Sequence, residues 1–175
     1  MKQALEPVTP PTPRPPGTPK GMNVLGTFAH HPALATAYHV YVAHLLHHST
    51  LSDRQREVVI LRVGAARGAR YEWAQHVVLG LEAGLSRAEI DAVTVGDIGP
   101  LAPADGAIVT AVDELLAAAE ISDVTWATLA GSLSEQQLLD LIFTVGAYET
   151  LAMAMRSCGT PLDEDLQAWL VENQV

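Results

Sequence analysis

Start and stop signals for helices cut this sequence into segments, and that punctuation constrains the fold more than any other feature. Ser52 with Gln55, Ser86 with Glu89 and Ser134 with Gln137 each have the spacing of a capping box, in which a hydroxyl and a longer polar side chain satisfy each other's backbone donors. Pro32 and Pro103 suit a first helical turn, where a missing N–H costs nothing. Gly84 suits a helix end, and so do Gly159 and Pro161. Ser122 or Asp123 caps a further short helix through Trp126 and Leu129. The spacing predicts helices over Met22 to Ala29, Pro32 to about His48, Asp53 to about Ala66, Tyr71 to about Ala83, and Arg87 to about Val93. Others follow from Pro103 to near Ala119, from Ser134 to about Ser157, and around Leu166, Trp169 and Leu170. Alternating strand patterns are absent, so the expected class is all-α, a single helical domain over residues 21–175.

Residues 1–20 stand apart, with seven of the 11 prolines. Such a segment cannot propagate a helix, and a flexible or polyproline-II arm is expected. The formal net charge of −10 argues against nucleic acid, whose phosphates must be neutralised by Lys and Arg, and against an anionic membrane surface. Cys158 is the one cysteine, so an internal disulfide, a CxxC redox pair and a thiolate zinc site are excluded. No apolar stretch approaches a membrane span without breaks, and the N-terminus lacks a secretory pattern. A cytoplasmic protein without a cofactor is expected.

The chemistry concentrates between Glu57 and His76. The helix from Asp53 carries Val58, Leu61 and Ala65 on one face, with Val59, Ile60 and Val63 over much of the remainder, so it is expected to be buried nearly all round. Glu57 is a charge on that helix and needs a partner. Arg62 or Arg54 is the generic choice, and His76 across a helix contact is the functional one. Glu72 and His76 lie four residues apart, on one face and about 6 Å apart along the axis. A carboxylate beside an imidazole makes an acid–base pair if a substrate reaches it. On a helix the same spacing also serves an ordinary surface ion pair.

The segments Leu51 to Val63, Tyr71-Glu-Trp-Ala-Gln-His76 and Ala83-Gly-Leu-Ser86 together resemble the core of the carboxymuconolactone decarboxylase family, which shares its fold with alkylhydroperoxidase D-type proteins. The similarity continues through Ala111 to Leu115, Ile121 to Trp126 and Gly146-Ala-Tyr148. The resemblance implies an alkylhydroperoxidase D-like helical bundle that assembles as a trimer or hexamer. In the peroxidase branch a Glu precedes a CxxC pair and a His follows it. Glu57 and His76 match that Glu and His, while the two cysteine positions fall on Ala69 and Glu72. Thiol peroxidase chemistry is therefore expected to be absent.

What remains implied is the thiol-free branch, with decarboxylation of a lactone acid as its type reaction. His76 is then the expected proton donor, Glu57 sets the state of its ring, and Glu72 is a second acid–base group. Tyr71 and Trp73 are expected to shape the pocket, with His30 and Tyr38 above it and Arg62 holding a substrate carboxylate. His44 and His48 have a spacing that suits a metal, but no ligand set accompanies them and no metal is expected. Trp126 and Trp169 are expected to fill helix contacts, and Tyr148 either faces the pocket or caps the core. The rival readings are a non-catalytic helical oligomer that binds a small ligand, and an antioxidant peroxidase.

Overall fold

The computed structural model describes residues 18–174, and the Pro-rich arm expected at residues 1–20 lies almost wholly outside them. Among the described residues there are nine α-helices and no strand. They are α1 (Met22–Phe28), α2 (Pro32–His47), α3 (Asp53–Ala66), α4 (Arg70–Glu82), α5 (Arg87–Val95), α6 (Pro103–Ala118), α7 (Asp123–Ala130), α8 (Glu135–Cys158) and α9 (Glu164–Glu172).

Their ends follow the local chemistry. Ser52, Ser86 and Ser134 each accept from the backbone N–H three residues on, and Gln55, Glu89 and Gln137 return the bond, so all three capping boxes form. Pro32 and Pro103 occupy first turns. Gly159 ends α8 at φ 63°, a left-handed geometry that a side chain disfavours. Ala119 ends α6 in the same region at φ 58° although it is not a glycine, at the place where the sequence ends this helix.

α3 is the axle of the bundle, packed against α4, α5, α6 and α8. Val58, Val59, Ile60, Leu61 and Val63 are fully buried. Burying each such side chain contributes roughly 1.5–3 kcal/mol before entropy is counted. The contact between α3 and α4 is unusually close. A Cβ at Gly64 would stand 3.2 Å from Trp73 N, so the two backbones touch where only a hydrogen fits. α9 closes the far side of α4 in a smaller cluster of Ala74, Val78, Leu166 and Leu170.

Three arginines brace this frame. Arg54 donates to Asp105 and Glu89, tying α3 to α6 and α5. Arg62 donates from Nε to Asp113 at 2.6 Å and from a terminal nitrogen to the Thr94 carbonyl at 2.9 Å. Arg67 joins Glu149 on α8 to the Leu116 carbonyl. Glu57 is therefore served by neither of its expected arginines, because both are held by other carboxylates.

Two expectations need correction. α8 does have the length and composition to cross a membrane, with mean hydropathy 1.4 over its best window. Leu141, Val145, Tyr148, Ala152 and Met155 bury one side of it within the bundle, as in a core helix. Trp126 does not fill a helix contact but is 42% exposed, whereas Trp169 does pack inward.

Candidate active site

The side chain of Glu57 leaves the buried axle toward α4, and its Oε2 lies 2.6 Å from Nδ1 of His76. Both groups are withdrawn from water, with side-chain exposures of 2% and 9%. The second Glu57 oxygen faces Arg56 Nε at 3.4 Å, and Arg56 also donates to Asp53. The carboxylate thus sits between a guanidinium and an imidazole. A carboxylate accepts only, so the ring's Nδ1 carries the hydrogen and Nε2 is the atom left for a reacting partner. The edge-to-face ring of Tyr148, centred 5.0 Å from the imidazole, fixes its plane.

Glu72 sits one helical turn before His76 and is 2% exposed. Both of its carboxyl oxygens are buried without a hydrogen-bond partner among the described residues. Desolvation pushes its pKa well above the usual carboxylate range, which favours the neutral acid. Burial and the Glu72 charge likewise raise the Tyr38 phenol. Tyr148 is raised by burial and by the charges of Glu57, Tyr38 and Glu72. These side chains make one buried cluster: the Glu57 carboxylate, an imidazole, a carboxyl group without a partner among the described residues, and two phenols that stay protonated.

The other candidate residues have different neighbours. Tyr38 belongs to the buried cluster, and its hydroxyl donates to the Ala147 carbonyl at 2.8 Å. Tyr71 turns away, and its hydroxyl donates to Asp163 Oδ2 at 2.5 Å and accepts from Val24 N. Trp73 Nε1 donates to Thr94 Oγ1 at 2.9 Å. Arg62 is held by Asp113, and His30 is exposed beyond the end of α1. The structure thus brings together Glu57, Glu72, His76 and Tyr38, and adds Arg56 and Tyr148. The sequence left Tyr148 open between pocket and core; it is buried on α8 and edge-on to the His76 ring, a placement that no sequence signal decides.

Among the described residues no group of three or more His, Cys, Asp and Glu is placed to hold a metal. His44 and His48 stand with ring centres 6.2 Å apart on an exposed face. A surface recess of about 350 Å³ lies elsewhere, lined by Arg67, Ala152, Met153, Arg156 and Ser157.

The pattern of the carboxymuconolactone decarboxylase family matches residues 32–123, from the start of α2 to the start of α7. The chain belongs to the carboxymuconolactone decarboxylase family. No curated protein matches it in sequence. Solved structures share its fold at low identity. An uncharacterized peroxidase-related protein with an alkylhydroperoxidase AhpD core from Ralstonia eutropha superposes with a TM-score of 0.74 at 18% identity, over 82% of this chain and 78% of its own. A peroxidase-related protein from a Silicibacter species gives 0.74 at 15%, over 82% and 77%. A variant of the debrominase Bmp8 in complex with 2,3,4-tribromopyrrole gives 0.72 at 15%, over 86% and 81%. The fold is that of the AhpD-like helical proteins.

Proposed function

We propose that this member of the carboxymuconolactone decarboxylase family is an enzyme of small-molecule metabolism that moves protons at a carbon beside a carbonyl, with decarboxylation as the leading case. One observation carries the reading. A histidine held by a buried carboxylate at 2.6 Å lies one helical turn from a second buried carboxyl group, Glu72, whose oxygens have no hydrogen-bond partner among the described residues.

The chemistry follows from the protonation states. The substrate's carboxylate leaves as carbon dioxide, and the C–C bonding pair moves into the neighbouring carbonyl to form an enolate. Glu72, as the neutral acid, donates a hydrogen bond to that oxygen as charge develops on it. His76, protonated and steadied by Glu57, delivers the proton from Nε2 to the carbon, and the enolate collapses to the carbonyl. Glu57 keeps its place between Arg56 and the imidazole ring. A debrominase of the same fold in complex with a small planar ring supports a small unsaturated substrate here.

Thiol peroxidase chemistry finds no support. Ala69 and Glu72 stand where it needs cysteines, and Cys158 is exposed at the end of α8. The burial of Glu57, Glu72 and His76 leaves a second reading, in which the chain binds a small ligand without turning it over. Carbon dioxide release from a panel of lactone carboxylic acids separates the two, with the His76→Ala variant beside the wild type. Turnover lost in a folded His76→Ala protein supports catalysis, and a fully active variant refutes it. Light scattering checks the trimer or hexamer that the family likeness implies.

A further inference from the structure

The Glu72 oxygens are withdrawn from solvent and have no hydrogen-bond partner among the described residues, so a ligand reaches them only if something moves. The element best suited to move is α1, in which no residue is buried. A Cβ at Gly21, the residue before α1, would meet Gln75 Nε2 at 3.1 Å, so the segment entering α1 runs over the residue that precedes His76. At its other end the Phe28 ring stacks on Tyr38, with centres 5.3 Å apart and planes at 22°. The same ring meets His39 edge to face at 5.0 Å. α1 therefore bridges α4 and α2 across the side of the buried cluster bordered by Tyr38.

Its attachments are mostly polar. Asp163 Oδ1 accepts from Met22 N at 3.1 Å and Asn23 N at 2.9 Å, capping α1 from the far end of the chain. Tyr71 bridges the two, donating to Asp163 and accepting from Val24 N. Thr27 and Thr160 share a hydroxyl contact at 2.8 Å. Such bonds exchange readily for bonds to water and hold an element less firmly than buried apolar area does.

We propose that α1 is a movable strap latched by Asp163 and Tyr71, that its Phe28 plugs an aromatic slot made by Tyr38 and His39, and that a planar unsaturated ring of a small ligand replaces Phe28 when the strap lifts. A flat ring regains the stacked and edge-on contacts that Phe28 gives up, whereas a saturated ring does not. This rests on the preceding reading only for the location of the site.

The test uses the full chain and needs no turnover, so it stands apart from the catalytic assay. Benzoate and cyclohexanecarboxylate are titrated calorimetrically into wild type and Phe28→Ala, with hydrogen exchange followed by mass spectrometry in wild type and Asp163→Ala. Removing the plug raises the open fraction, so Phe28→Ala should bind benzoate about tenfold more tightly, the scale of one or two aromatic pairs. Cyclohexanecarboxylate should gain nothing. Asp163→Ala, which removes the acceptor of both α1 amides, should speed exchange in α1 about tenfold while α3 stays protected, which also shows the fold intact. Unchanged benzoate affinity in Phe28→Ala overturns the proposal, as does an equal gain for the saturated acid. Exchange in α1 that Asp163→Ala leaves unaltered overturns the latch.

Discussion

Glu57 and His76, 19 residues apart in sequence, face each other at 2.6 Å because α3 and α4 approach with only the hydrogen of Gly64 between their backbones. The acid–base geometry therefore depends on a glycine that takes no part in the chemistry. Gly64→Ala must push Trp73 and α4 outward. The expected cost is about 1–3 kcal/mol by urea denaturation, the range for overpacking a tight contact. The Glu57–His76 distance should lengthen in a structure of the variant, and an unchanged distance with unchanged stability would refute this account.

Removing the carboxylate is expected to cost more. Glu57→Ala leaves Arg56 and His76 facing each other in a space withdrawn from water. Breaking a buried pair from one side typically destabilises by about 3–5 kcal/mol. Glu57→Gln keeps the volume and an acceptor oxygen, so it should lose less. Equal losses in the two variants would mean that charge is not what holds the pair.

Glu72 has the opposite character. Its folded-state pKa lies above the ordinary 4.5, because burial penalises the charged form. Between the unfolded and folded values the native state holds the extra proton, so stability falls as pH rises through that window. Glu72→Gln removes the titration. The variant and wild type should melt alike near pH 4, and the variant should gain on wild type progressively toward about pH 8. A constant gap across the series would show that Glu72 does not titrate between these limits.

Peroxide consumption with a dithiol reductant should be negligible in wild type and in Cys158→Ala alike. Cys158 is exposed at the end of α8, and the buried cluster itself contains no sulfur. Consumption by wild type that the variant loses would reinstate the thiol reading.

Much of the architecture was readable because helix ends are local chemistry. Ser52, Ser86 and Ser134 needed only the residue three positions on, and the α3 boundaries followed directly. The side-chain partners were less readable because they depend on long-range placement. Arg54 and Arg62 were the arginines the sequence offered to Glu57, and only the positions of Asp105, Glu89 and Asp113 decide where each guanidinium goes. Tyr71 and Trp73 adjoin Glu72 in sequence, yet successive helical positions point about 100° apart, so they serve Asp163 and Thr94 instead. The pairing of Glu57 with His76 was visible as a possibility, since a charge on an all-apolar helix needs a partner.

The bond from Asn23 N to Asp163 spans 140 residues and joins the two ends of the described chain at a single carboxylate. The tail after α8 is thus the hinge post on which the front door hangs. A shortened or fused C-terminus would change how wide that door stands while Glu57 and His76, paired between α3 and α4, kept their place.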